Sequence, residues 1–200
     1  MKLNADRDKL SKNVEAGRLF NWLNELDQEQ KIHLHESELY YDFPLYKDDE
    51  DRLVISPLML VSRMYGIIIF YLSDTHERDA HATLAKNDSS LENVYSQIYS
   101  RLLKQKNLRK NRKNLKLNVE SAIFAPYADP SVEYQTESKV IVSKASLESF
   151  IEELEEPIDE DIYSEAASTI EGGKGLIRLK PRDIDGFHDE SKVQVISKLE

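Results

Sequence analysis

The chain contains no cysteine among its 200 residues. This absence excludes a disulfide framework, a cysteine nucleophile and any zinc site that uses thiolate ligands. Glycine and proline are scarce, at six residues each, which excludes collagen-like and low-complexity sequence. Hydrophobic residues make up 40% of the chain, which is enough to form a folded core.

The sequence also lacks a targeting segment. Residues 1–13 are polar and contain no apolar stretch of the kind that a secretory signal needs. The most apolar run, residues 53–72, is about as long as a membrane span but contains Pro57, Arg63 and Gly66. Because an arginine at bilayer depth costs roughly 2.5 kcal/mol or more, this run is better interpreted as buried strands joined by a turn. We expect a cytoplasmic protein.

The hydrophobic pattern predicts helices and strands in one α/β (α+β) fold. Predicted helices, with apolar side chains three or four residues apart, cover residues 14–26, 90–107, 146–155 and 162–170. Predicted strands lie within residues 31–46, 53–56, 59–61, 65–72, 115–124 and 139–142. Residues 73–90 are polar and are predicted to form a loop. We expect a mixed central sheet flanked by helices over residues 1–170, followed by a connector over residues 171–200.

Charge is distributed unevenly along the chain. The whole chain carries a net charge of −10, from 27 lysines and arginines against 37 acids. Residues 101–116, the basic segment, carry +8 and contain no acid, so the remainder carries −18. The cations of the basic segment are Arg101, Lys104, Lys106, Arg109, Lys110, Arg112, Lys113 and Lys116.

Two interpretations of the basic segment follow. Cations at this density can displace counterions from phosphates, which predicts weak nucleic-acid binding. Alternatively, the segment is a solvated helix end, where the helix dipole favours cations. No aromatic residue interleaves with the cations, so the sequence does not indicate a base-stacking platform.

Several short motifs lie in a recognisable order in the first half of the chain. They are Glu15 with Gly17 in the first predicted helix, the acidic turn 48–51, the strand that ends in Ser56-Pro57, and the strand that begins at Gly66. This arrangement resembles the nuclease-related domain at the front of some superfamily-one DNA helicases, a relative of the restriction-endonuclease fold. Residues 170–182 and 193–199 resemble the connector that precedes the ATP-binding motor of such helicases.

The resemblance implies a metal-dependent nuclease site, and the sequence departs from it. In the family a first acid and the Glu of a Glu-x-Lys motif hold a divalent metal, and the Lys orients the attacking water. The motif should fall at residues 70–72 or 71–73, where the chain has Phe70, Tyr71, Leu72 and Ser73. None of these offers a carboxylate or an ammonium group. We therefore expect a degenerate site without a cofactor.

The leading hypothesis is a non-catalytic accessory domain of a DNA helicase or a related nucleic-acid enzyme. In this hypothesis the basic segment contacts DNA phosphates, and ATP binding belongs to a motor domain C-terminal to Glu200 in the parent protein. The first alternative is a divergent nuclease that holds Mg²⁺ with Asp51 and Asp74 and uses a displaced base such as Glu36. The second is a protein-interaction module without a nucleic-acid role, whose acidic residues 148–161 bind a basic partner.

Three further patterns are interpreted as structural. His33 and His35, with Glu36 and Glu38, could form a metal cluster, but no third ligand lies at a recognisable spacing. The polar segment that contains His76 and His81 is predicted to be an exposed loop. The glycine-rich residues 171–175 lack the spacing of a phosphate-binding loop and are predicted to form a turn.

Overall fold

The computed structural model describes residues 1–4, 7–43, 45–47, 53–76 and 80–172. Its helices are α1 Arg7–Lys12, α2 Val14–Gln28, α3 Ala80–Leu103, α4 Lys144–Glu152 and α5 Glu160–Glu171. Its strands are β1 Lys2–Asn4, β2 Ser37–Tyr41, β3 Leu45–Lys47, β4 Leu53–Ile55, β5 Leu58–Ser62, β6 Gly66–Leu72, β7 Val119–Phe124 and β8 Lys139–Ile141. The predicted α/β class is confirmed.

Six strands form one mixed sheet in the order β1-β2-β5-β6-β7-β8, and β3 pairs with β4 in a separate small sheet. Strand β5 runs antiparallel to both of its neighbours, β2 and β6, and the short turn of residues 63–65 joins β5 to β6. Strands β6, β7 and β8 are parallel, so the chain must cross over between them. Helix α3 provides the crossover from β6 to β7.

Strand β6 is covered on both faces, which explains why its sequence has no polar side. Ile67 and Ile69 pack on one face, in the hydrophobic cluster that contains buried residues of α3 and α5. Ile68 and Phe70 pack on the other face, with buried residues of α2 and α4. The apolar run around β6 is therefore sheet, and no helix within the described ranges is long and apolar enough to cross a membrane.

The helix before β7 begins earlier than the sequence predicts. Residues 80–90 belong to α3, so the predicted loop is wrong over this stretch. One stripe of the helix is buried through Ala80, Leu84, Asn87 and Leu91, and this stripe includes a small and a polar residue. Asn87 is buried because its Nδ2 donates a hydrogen bond to Ser73 Oγ at 2.9 Å. Asn87 therefore occupies a buried helix position through a tertiary hydrogen bond, where the sequence pattern of a helix would have an apolar residue.

Candidate nucleic-acid interface

The basic segment occupies the last turns of α3 and the loop that leads to β7. Six of its cations have exposed side chains: Lys104, Lys106, Lys110, Arg112, Lys113 and Lys116. Arg109 is half-buried. Arg101 is also half-buried, and its Nε donates a hydrogen bond to the carbonyl oxygen of Thr169 in α5, at 3.3 Å. Arg101 therefore takes part in helix packing, whereas the six exposed cations face solvent.

The tip of the loop is held in a defined shape by one asparagine. Asn111 Oδ1 accepts hydrogen bonds from the backbone N–H groups of Lys113 and Asn114, both at 2.9 Å. The backbone N–H of Lys110 donates to the carbonyl oxygen of Asn114 at 2.8 Å. This is the local bonding that favours asparagine in turns. The side chains of Lys110 and Lys113 therefore leave from a fixed turn.

The base of the loop is anchored in the core. Leu108 is fully buried and Leu115 is buried, and both belong to the hydrophobic cluster under α3. The backbone N–H of Lys116 donates to the carbonyl oxygen of Leu108 at 2.8 Å, and Arg109 forms a β-bridge with Leu115. Because two apolar side chains and these backbone contacts fix the loop, its cations are presented in advance of any ligand, which lowers the entropic cost of binding.

The exposed cations of the loop are not neutralised within the described part of the chain. Ion pairs form elsewhere, for example between Lys31 and Glu148 at 2.9 Å and between Lys144 and Glu29 at 2.6 Å. No ion pair involves any of the six exposed cations of the basic segment within the ranges that the structure describes. Their charge is therefore available to an anionic partner.

An aromatic pair lies next to the basic loop, which the sequence analysis missed. The rings of Tyr95 and Tyr99 stack in α3, with centroids 5.6 Å apart and planes at 22°. Tyr99 Oη donates a hydrogen bond to the carbonyl oxygen of Lys113 at 3.1 Å. Burial, followed by the negative charge of Glu120, raises the pKa of Tyr95. The signal was available as two tyrosines four residues apart on the last turns of α3.

The residues of the implied nuclease site are not brought together within the described ranges. Asp51 and the acidic turn 48–51 lie outside those ranges. Asp74 is exposed just beyond β6, between the buried Ser73 and Thr75, whose hydroxyl oxygens lie 2.6 Å apart. No group of three or more histidines and acids in the described part of the chain is arranged to hold a metal ion.

Glu36 is too far from Asp74 to assist at the same site. Arg63, in the turn that precedes β6, binds Glu36 through its Nη1 at 2.9 and 3.1 Å. Asp74 follows the opposite end of β6, and a seven-residue strand spans about 20 Å. A base at Glu36 is therefore separated from Asp74 by the length of β6, and the nuclease alternative that combines these residues with Asp51 stays a prediction.

The histidines take separate positions. His33 and His35 precede β2 rather than lying on a strand, and both side chains are exposed. His76 stacks on Tyr127 with centroids 5.0 Å apart, and His81 packs on Tyr134 at 5.2 Å. The guanidinium of Arg18 also lies 4.7 Å from the centre of the Tyr127 ring.

Some of the acidic residues in 148–161 have structural roles. Glu148 pairs with Lys31 and links α4 to the chain after α2. Glu156 accepts a hydrogen bond from Asn118 Nδ2 at 3.1 Å. Most of the remaining acids in this stretch are exposed. The predicted connector lies outside the described residues from position 173 onward.

Comparisons with known proteins add no relationship to this geometry: no protein-family model, no curated protein and no solved structure matches the chain.

Proposed function

We propose that this chain is a non-catalytic accessory domain of a DNA helicase or a related nucleic-acid enzyme, and that the basic segment contacts DNA phosphates. The observation that supports this proposal is that the six exposed cations are held in place and are not neutralised. They extend from a loop anchored by Leu108, Leu115 and Asn111, and they make no ion pair with the described part of the chain. Phosphate groups are the partner that such a surface fits best.

The order and directions of the strands are what support the nuclease-like part of the proposal. An antiparallel β5–β6 hairpin is followed by the crossover helix α3 and the parallel strand β7, and Gly66 begins β6 where the resemblance places a glycine. We propose a restriction-endonuclease-like ancestry for this sheet.

The site that the ancestry implies is chemically incomplete. The expected Glu and Lys fall at Phe70 and Leu72 or at Tyr71 and Ser73, and the Ser73 hydroxyl is already bonded to Thr75 and Asn87. Asp74 is the acid that directly follows these positions, and Mg²⁺ needs several oxygen ligands in protein sites. This supports a domain that holds DNA without cutting it and that needs no metal.

The binding proposal is tested with a variant in which five of the exposed cations and the half-buried Arg109 are changed together to glutamine: Lys104, Lys106, Arg109, Lys110, Arg112 and Lys113. Fluorescence anisotropy with labelled duplex and single-stranded DNA gives the affinity at about 50 to 200 mM salt. We expect weak, salt-dependent binding by the unmodified chain. The variant should bind more weakly, with a salt slope shallower by up to about 5, since each lost duplex phosphate contact removes about 0.9. An unchanged slope would show that this loop does not hold phosphates.

The absence of catalysis is tested separately with supercoiled and single-stranded DNA in the presence of Mg²⁺ or Mn²⁺. We expect both substrates to stay intact. Cleavage that disappears in Asp51→Ala, or in Asp74→Ala, would contradict the non-catalytic proposal and support the divergent nuclease.

A further inference from the structure

An open groove of about 950 Å³ runs along the outer edge of the sheet, beside β8. One wall is formed by α3 through Glu92 and Tyr95, and the opposite wall by Phe150 of α4 and by Leu154, which follows that helix. Residues 130–138, the loop before β8, complete the lining. The groove is therefore a channel between two helices with a strand edge along it.

The strand edge in the groove has free backbone groups. The carbonyl oxygen of Ile141 accepts a hydrogen bond from the backbone N–H of Ala125 at 2.9 Å, so the backbone groups of Ile141 face β7. Backbone groups of successive residues in a parallel strand point to opposite sides, so the N–H and C=O of Val140 point out of the sheet. No partner for them exists within the described residues. The next outward N–H along this edge, that of Val142, already donates to Ser146 Oγ at 3.1 Å, so Val140 is the position at which a strand can be added.

The lining of the groove is strongly acidic. Six acids line it: Asp88, Glu92, Glu120, Glu133, Glu137 and Glu153. Lys139 is the single cation of the lining. The carboxylate of Asp88 accepts hydrogen bonds from the backbone N–H groups of Glu137 and Ser138, at 2.7 and 3.1 Å, and thereby holds the loop that leads into β8. The other five carboxylates form no ion pair within the described part of the chain.

The charge of the groove selects among extended ligands. A net charge of −5 on its lining repels phosphate backbones and acidic peptides. The apolar side chains of Val132, Val140, Val142 and Phe150 offer contacts to the alternate side chains of an added strand. Glu120 is exposed on β7, so a cation of the ligand can reach its carboxylate.

We propose that this groove binds an extended segment of a partner protein in which lysine or arginine alternates with apolar residues. The segment adds to β8 as a strand through the backbone of Val140 and places its cations against the groove carboxylates. This site is distinct from the basic segment and does not depend on DNA binding. It also differs from the acidic stretch 148–161, which contributes Phe150, Glu153 and Leu154 to the groove.

The proposal is tested with a fluorescein-labelled peptide of alternating lysine and valine, and with a matched peptide of alternating glutamate and valine. We expect the lysine peptide to bind and the glutamate peptide not to bind. The double variant Glu133→Gln/Glu137→Gln should weaken binding about fivefold, as the loss of two surface ion pairs implies. The matched control, Glu160→Gln/Asp161→Asn on exposed acids of α5, should bind as the unmodified chain does. Equal weakening by both double variants, or equal binding of the two peptides, would overturn the proposal.

Strand addition is tested by removing the backbone donor. Val140→Pro replaces an outward N–H at an edge position, where proline is tolerated, and should abolish peptide binding while leaving the circular dichroism spectrum unchanged. A lysine-valine peptide that is N-methylated at alternate residues provides the same test without altering the protein. Binding of both N-methylated peptides, one methylated at the odd and one at the even residues, would overturn strand addition. Self-association of the chain that the peptide does not displace would also overturn it. DNA affinity should not fall in Glu133→Gln/Glu137→Gln, which separates this proposal from the proposed function.

Discussion

Replacing Gly66 by alanine tests the account of how β6 begins. Gly66 has a φ of +74°, which side-chain-bearing residues rarely adopt, and a Cβ at this position would overlap the carbonyl oxygen of Asn118. That oxygen accepts a hydrogen bond from the backbone N–H of Ile67 at 2.9 Å. The alanine variant must therefore displace β6 from the chain that leads into β7.

The expected cost adds three contributions. A left-handed alanine costs about 1 kcal/mol, the Ile67–Asn118 hydrogen bond is worth about 1 kcal/mol, and overpacking a central strand costs about 1 to 3 kcal/mol. Gly66→Ala should therefore lower the free energy of unfolding by about 3 to 5 kcal/mol, a large fraction of the about 5 to 15 kcal/mol typical of a domain.

Urea unfolding measures this cost, and Gly17→Ala provides the control. Gly17 lies inside α2, where an added Cβ would meet only the carbonyl oxygen of Leu10, at 3.9 Å. This variant should gain about 0.5 to 1 kcal/mol through helix propensity. A loss below about 1 kcal/mol in Gly66→Ala, with an unchanged denaturant slope, would refute the reasoning.

Three further predictions concern single side chains. Partial desolvation raises the pKa of Glu120, so the folded state holds that proton more tightly than the unfolded chain does. The resulting stability is fully present below the unfolded pKa and is lost as pH rises through the folded pKa, so Glu120→Gln should be more stable than the unmodified chain at pH 7 but not at pH 3 by urea unfolding. Burial disfavours the charged form of Glu38, but hydrogen bonds from Tyr40, Lys2 and Asn4 outweigh this effect and lower the pKa of the carboxyl group. The stability that the carboxylate contributes is present above its unfolded pKa and is lost as pH falls through its folded pKa. Glu38→Gln should therefore lower the free energy of unfolding by about 1 kcal/mol at pH 7 and flatten the acid side of the curve of unfolding free energy against pH. Asn111→Ala should weaken DNA binding with an unchanged salt slope, because it loosens the loop without removing a cation; a changed slope in anisotropy titrations would contradict this.

Elements with a strong pattern could be predicted from the sequence. Strand β6 is an unbroken apolar run because both of its faces are covered, and α2 shows a clear stripe of Leu19, Leu23 and Leu26. The start of α3 could not be predicted, because its buried stripe there depends on Ala80 and on the bond from Asn87 to Ser73.

The basic segment and the groove beside β8 also differ in how far the sequence predicts them. The basic segment is contiguous in sequence, so its composition sufficed to find it, but its fixed turn depends on bonds made by Asn111. The groove beside β8 could not be predicted, because its acids come from α3, β7, the loop before β8 and the residue after α4, which only the folded chain brings together. The connector over residues 171–200, the DNA partner and the helicase parent stay predictions.

The most direct test of the central proposal compares the salt dependence of DNA affinity in two matched triple variants. One changes Lys106, Lys110 and Lys113 of the basic loop to glutamine. The other changes three exposed lysines elsewhere: Lys9, Lys12 and Lys86. Both variants lose three positive charges, so a general effect of net charge would change the salt slope of DNA affinity equally in the two. We predict a salt slope shallower by about 2 to 3 in the loop variant only. Equal slopes in the two variants would contradict phosphate binding by the basic segment.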